Sequence, residues 1–466
     1  MSEITRFHIQ VLRPVHVGCD DAYEPMGFIV DEERQLMRVF DPFDFIRSLG
    51  PEDKARFSAI CAEGSVSSLL SIYKFMRGRQ FPGREVALCS GFVAHYRDTL
   101  KMDGKDRKKV QQELNRFAVA RTSYHPHTDL PYLPGSAVKG ALRTAWLNEL
   151  QRRKKIPPNR GHKGKDLEIE LLDGGKFDTD PFRLVKVSDF MPVGPVRTRV
   201  VYALNEKKQP SKFSARGAYQ VLEVIEPGAY FEGTIRVERP LAEGLIRSPI
   251  DAEELIAGVR RFYEGELLRE SDELADIGIR GLKPSWADGA FPLRVGRHSG
   301  AESVTVAGHR RIRIMQAKGK PPKELDHATT LWLAAADRKR VGKDLLQFGW
   351  VLVTPGPAPV AETERERQAE KPAVPVSPPV SRPVETPPRA AAAPAAREEW
   401  QGAALRWNPG NNTLTAEFGG KKAEAKGREL VPPDLHKALF EKRRGAVADV
   451  TVEKRGNAYW IVAINK

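Results

Sequence analysis

A run of proline, alanine, glutamate and arginine from Pro355 to Glu398 divides this 466-residue chain. Its middle reads PAVPVSPPVSRPVETPPRAAAAPAA, with almost no large apolar side chains. Ordering backbone costs about 1–2 kcal/mol per residue, and this stretch has too little apolar surface to offset that. Its prolines favour extended polyproline II, so it is expected to be a semi-rigid tether. The chain must then fold as a body before the tether and a small module after it.

Three cysteines, Cys19, Cys61 and Cys89, with no CxxC pair, argue against a disulfide scaffold or a cysteine zinc site. No apolar run approaches the ~20 residues that cross a bilayer, and the N-terminus lacks a signal-peptide core. A soluble cytoplasmic protein without membrane contact is expected. The formal charge is +14: about +10 in the body, 0 in the tether and +4 in the tail. A basic excess on folded surfaces suits a polyanionic partner.

Alternation predicts a strand over Arg6–Leu12, with Phe7, Ile9 and Val11 on one face. Phe28–Val30 and Leu36–Phe40 read as a hairpin, and Tyr219–Ile225 with Tyr230–Val237 as a second one around Glu226-Pro227-Gly228. Asp41, Pro42 and Gly50 bracket one helix, and helical spacing continues over Val66–Met76 and Asp251–Leu274. Strands and helices interspersed with hairpins give an α+β class with largely antiparallel sheets. The tail, from Trp400, reads as hairpin, helix, hairpin: a small β-rich module, a partial barrel.

Three segments could carry chemistry. In LPGSAVKGALR, Ser136 is placed to cap a helix whose first turn offers free N–H groups to an anion. Gly135 permits close backbone approach, and Lys139 and Arg143 share a face. In LRVGRHSGAESVT a strand enters a glycine-rich loop and a second strand is expected to follow. There, Arg294, Arg297 and Ser299 can donate to phosphate oxygens. The GxGxxG order is absent, which disfavours a dinucleotide site. Downstream, His309–Ile314 alternates basic and apolar residues, predicting a strand with a positive stripe. In RPVHVG, His16 is a candidate general base or RNA contact. His125 and His127 lack a nearby third ligand, so no metal or other cofactor is expected.

Taken in order, RPVHVG, LPGSAVKGALR, VSDFMPV around Asp189, LRVGRHSGAESVT and Phe348-Gly349-Trp350 resemble the RAMP superfamily of CRISPR-associated proteins. The order is most similar to that of the fifth Csm subunits of type III-A effector complexes. The resemblance spans residues 1–354 and leaves out tether and tail. It implies tandem ferredoxin-like, RRM-related domains: residues 1–190 with a helical insertion, then 191–354. Composition sets off the linker 355–398 and the β-rich module 399–466. It also implies a noncatalytic subunit that binds the 3′ side of the guide RNA and supports its maturation. Such a subunit sits against a neighbouring Csm backbone subunit among the other Csm proteins, and host nucleases trim the guide. The RNA contacts implied are His16, Gly18, Gly135, Ser136, Lys139, Gly140, Arg143, Arg294, Gly296, Arg297, His298, Ser299 and Gly300. Ala301 stands where a stacking aromatic is expected. The alternative is a metal-independent RAMP endoribonuclease using His16. In the tail, Trp407, Phe418, Tyr459 and Trp460 among Lys421, Lys422, Arg443, Arg444 and Arg455 suit an accessory binding module.

Overall fold

The computed structural model describes residues 5–158, 163–174, 177–210, 215, 218–240, 244–316, 319, 321–339, 344–359, 397–408, 413–426, 430–441, 445–455 and 458–465. The tether, apart from its two ends, lies outside these residues, as do Arg443 and Arg444. Two compact units divide the chain, Met1–Ala373 and Val374–Lys466.

The first unit holds two large sheets. In the first, strands run in the order Phe291–Arg294, Trp350–Pro355, Thr5–Val11, Tyr230–Val237, Val185–Val187, and Met191–Val193 also pairs with Tyr230–Val237. All of these pairings are antiparallel. Phe7, Ile9 and Val11 point into the core, as the alternation predicts. Helices Gly135–Lys154 and Ala252–Asp276 cover that face, contributing Val138, Leu142, Trp146, Leu255, Val259 and Tyr263. Asp251 caps the long helix by accepting from Glu253 N and Glu254 N.

The second sheet runs Gly18–Ala22, Val119–Thr122, Gln220–Ile225, Thr198–Lys207, Arg84–Leu88, Leu36–Val39, Phe28–Asp31. Thr330–Ala335 pairs along Thr198–Lys207 and carries Leu346–Gln347. Helices Val66–Met76, Ser90–Leu100 and Arg107–Phe117 pack on this sheet through Tyr73, Phe92, Tyr96 and Phe117. Here the helices at Pro42–Ser48 and Val66–Met76 and the Phe28–Val39 hairpin lie where periodicity places them.

The expected second hairpin does not form. Gln220–Ile225 joins the second sheet, whereas Tyr230–Val237 joins the first. The turn between them is a crossing. It runs beside the other crossing, Leu12–Val17, and is tied to it by a Val15–Ile225 bridge and by Gly228 N donating to Val11 O at 2.8 Å. Each sheet therefore takes strands from both sides of residue 190, so a cut between 190 and 191 separates neither sheet.

Pro355 ends a strand, Gly356 N donates to Arg6 O, and Ala358 is buried, so the first residues of the predicted tether belong to the body. The tail forms a closed five-stranded barrel, Arg397–Asn408, Thr413–Phe418, Lys421–Lys426, Ala458–Asn465, Ala446–Arg455, rather than a partial one. A short helix, Pro433–His436, continues into a wide turn at Lys437–Glu441.

Candidate nucleic-acid interface

The glycine-rich loop after Arg294 folds back on the RPVHVG segment. Gly296 has φ +85°, and a Cβ there would collide with the His16 carbonyl. The next amide, Arg297 N, donates to that carbonyl at 2.8 Å. Gly349 of the Phe-Gly-Trp segment lies against both: its N–H donates to Pro14 O at 2.9 Å and its carbonyl accepts from Val295 N at 2.9 Å. From His16 the contacts continue. Val17 O accepts from Ser123 N at 2.8 Å, and Ser123 O accepts from Tyr132 N at 3.3 Å. Leu133 then bridges to Phe190. Asp189, beside Phe190, accepts from Gly135 N at 2.7 Å through Oδ1. Folding thus joins the motifs of residues 13–18, 133–143, 188–191 and 294–300 into one continuous backbone seam.

Not every predicted contact faces outward along it. Arg294 is 3 % exposed, forms a 2.7 Å ion pair with Glu270, and lies 5.0 Å from the centre of the Trp350 ring. Ser299 is buried and donates to Gly296 O. Both shape the loop rather than offering a donor to a ligand. Arg143 is held between Glu168 at 2.7 Å and Asp180 at 2.9 Å, over the Phe182 ring. Its charge ties helix Gly135–Lys154 to helix Gly164–Leu172. His16 is 1 % exposed; its Nδ1 lies 2.7 Å from Glu223 O, and its Nε2 is buried without a partner. Burial above all holds its pKa below the ordinary imidazole value.

Ser136 does not cap. The helix starts at Gly135, after Pro134, and the Asp189 carboxylate occupies the first amide instead. Nor does a strand follow the glycine loop: Glu302–Val304 is a 3-10 turn, because Glu302 is drawn inward to Lys208 at 2.6 Å. The basic strand shrinks to Ile312–Ile314, paired with Lys323–Leu325. Arg310 leaves that stripe to pair with Glu266 at 2.9 Å.

What remains open to solvent is a shorter set. Gly18, Ser136, Gly140 and Arg297 are exposed, while Lys139, Gly296, His298 and Gly300 are partly so. Among the described residues, neither Lys139 nor Arg297 has a carboxylate within ion-pair distance. Burial first, then Lys186, lowers the Lys139 pKa, with Asp180 acting the other way, so this ammonium sits near other cations that have carboxylate partners of their own. His298, at φ +62°, stacks on Trp332 at 4.7 Å and leans on Phe348 at 5.3 Å. Desolvation, then Arg297, pushes its pKa down to about 3, so the ring is neutral at ordinary pH. A cavity of about 420 Å3, bordered by His298, Gly300, Ala301, Arg269 and Trp332, opens beside it. Trp332 and Ala301 thus border the same cavity.

Sequence reading missed the two acids that organise the interior. Glu270 accepts from Gln347 at 2.9 Å and from Trp350 Nε1 at 2.7 Å, besides holding Arg294. Glu223 accepts from Tyr23 at 2.8 Å, Tyr124 at 2.5 Å and Thr122 N at 3.2 Å. The signal was an acid inside an apolar pattern: Tyr263, Leu267, Glu270, Leu274 on the helix, and Val221-Leu222-Glu223-Val224 on the strand. Among the described residues no group of three histidine, cysteine or acidic side chains could hold a metal, and no helix is long and apolar enough to cross a membrane.

A family model of the RAMP superfamily matches residues 8–269. The chain belongs to the RAMP superfamily. A curated relative, the CRISPR system Cms protein Csm5 of Enterococcus italicus, is 21 % identical over 218 residues, which is 45 % of this chain and 54 % of the relative. The match therefore spans about half the length of that relative. Two solved structures are similar. A chain of the Csm-crRNA-target RNA ternary complex of a type III-A CRISPR-Cas system has TM-score 0.48 and 17 % identity over 75 % of this chain and all of that one. The crystal structure of T.onnurineus Csm5 has TM-score 0.39 and 16 % identity over 64 % and 92 %. The RAMP match includes the RPVHVG and LPGSAVKGALR segments and ends before the glycine loop, which the fold brings to His16.

Proposed function

We propose that this RAMP protein is a noncatalytic guide-RNA-binding and assembly subunit of a type III-A CRISPR complex, of the Csm5 kind. The observation that carries the reading is the seam itself. It ends in two cations without carboxylate partners among the described residues, Lys139 at a helix start and Arg297 on a glycine loop, with exposed Gly140 next to Lys139 and exposed Gly18 two residues after His16. Phosphates answer such cations, and a glycine-lined backbone lets a ribose-phosphate strand come close. The Trp332–His298 stack offers a base a flat neutral face. Sequence is read lightly on this account, and position along the guide is set by shape against a neighbouring backbone subunit. The guide's 3′ side lies here, and host nucleases trim what extends beyond, in the cytoplasm.

The fold proposal is of tandem ferredoxin-like, RRM-related domains, and what supports it lies in the first sheet. Its support is the order Trp350–Pro355, Thr5–Val11, Tyr230–Val237, Val185–Val187, with one covering helix between the second and fourth of these in chain order and another after the third. The endoribonuclease alternative needs His16 to reach a ribose hydroxyl; a buried imidazole with Nδ1 against a carbonyl gives that reading no support.

Purification of the assembled complex with its RNA tests the proposal. The pair Lys139→Ala and Arg297→Ala is expected to lower guide retention or change guide length. Unchanged RNA yield and length contradict it.

A further inference from the structure

The barrel after the tether lies outside the RAMP match. Numbered along the chain, its five strands neighbour one another in the order one, two, three, five, four, and the fourth closes on the first. Strands three and five are parallel, and the short helix lies between strands three and four. This is the Greek-key arrangement of the oligonucleotide- and oligosaccharide-binding fold. A register shift between Trp400 and Ala403, with Gly402 at φ +68°, bends the first strand so that it serves two neighbours. Ala403, Leu405, Leu414, Ala416, Ala423 and Ala425 fill the interior, so a ligand must lie outside.

One rim of the barrel carries the chemistry for such a ligand. Trp400 is 2 % exposed and stacks beneath Phe418, 6.0 Å away at 24°, and against Tyr459 at 5.3 Å. Phe418 is 41 % exposed. Lys421 stands 5.1 Å from the Tyr459 ring, and Lys422 beside it is 56 % exposed in a surface ion pair with Glu424 that a phosphate can displace. Glu398 accepts from Trp400 Nε1, Lys421 and the Tyr459 hydroxyl, fixing the rings before any ligand arrives. Residues 397–466 carry 13 Lys and Arg against 9 Asp and Glu. Open rings beside lysines on a net positive module fit stacked bases and their phosphates.

We propose that this rim, centred on Phe418 with Lys421 and Lys422, is a second binding site, for single-stranded RNA. The test uses the full chain, ultraviolet cross-linking to a 5-bromouridine oligonucleotide and peptide mapping. Cross-links are expected on peptides from residues 413–426 or 458–465. Stacking on one base is worth about 1–3 kcal/mol. Phe418→Ala should therefore lower the barrel cross-link yield about tenfold at sub-saturating RNA. Phe418→Tyr should retain it, and Lys421→Glu with Lys422→Glu should lower it, with unchanged circular dichroism in each case. No barrel cross-link under conditions that cross-link the body overturns the proposal. So does an unchanged yield in folded Phe418→Ala. A fall in complex assembly without barrel–RNA cross-links also overturns it, by making the rim a protein-docking surface. Cross-links in the body are read from the same digest, so failure of this site and failure of the guide-binding seam are distinguishable.

Discussion

Arg294 and Arg297 are three residues apart on one loop, and burial gives them opposite roles. Arg294 is enclosed with Glu270, Gln347 and Trp350, whereas Arg297 points to solvent. Charge in a glycine-rich loop was legible in the sequence; which charge turns inward was not, because its partner lies on a helix residue 24 positions earlier. Removing one member of a buried pair leaves the other uncompensated, so Arg294→Ala should cost about 3–5 kcal/mol in urea denaturation. Arg294→Met with Glu270→Gln should recover much of that; a loss under 1 kcal/mol for the single variant would count against the buried pair. His16, His95 and His298 are all held below the ordinary imidazole value, chiefly by burial. The unfolded chain then binds more protons than the folded one in acid. Stability should be complete above about pH 6.5 and decline below it, for His298 down to about 3. Asn tolerates the positive φ at this position. In His298→Asn the stability lost between pH 7.5 and 5.5 should shrink by about 1 kcal/mol; equal losses in both proteins would contradict the assignment.

Helix Gly135–Lys154 shows what an element's sequence does and does not encode. Its apolar stripe and its basic end follow from Leu142, Ala145 and Trp146 and from Arg152–Lys154, whereas its start falls at Gly135 and not after a Ser136 cap. That Asp189 caps it from another segment does not, since local patterning says nothing of a partner 54 residues away. The same holds for Gln220–Ile225 and Tyr230–Val237. Alternation identified both strands, but a short turn looks alike whether it closes a hairpin or carries the chain between sheets. The two glycines of the helix make a paired test. At Gly135 a Cβ would lie 2.5 Å from Ser188 O, so Gly135→Ala should destabilise by about 1–3 kcal/mol. At Gly140 nothing lies within 4 Å, so Gly140→Ala should stabilise by about 0.5–1 kcal/mol. If RNA passes over Gly140, that more stable variant should hold guide RNA less tightly; unchanged RNA binding would remove Gly140 from the interface.

At the scale of the molecule, the candidate site exists only in the folded body. Its pieces come from residues 13–18, 122–143, 188–190 and 294–300, and two side-by-side crossings between sheets hold them together. The α+β class, the separate tail and the motif order were legible because they depend on local pattern and composition. The interleaving of strands across residue 190 and the closure of the barrel were not, because both are set by long-range pairing. On the proposed function, Lys139 and Arg297, at the two ends of this seam, neutralise phosphates of one strand. Filter binding of the chain to a guide-length single-stranded RNA across a salt series measures it directly. Each phosphate contact contributes about 0.7 to the slope of log affinity against log salt. Lys139→Ala with Arg297→Ala should flatten that slope by about 1.4. A double variant with weakened or unweakened binding but the wild-type slope would contradict it.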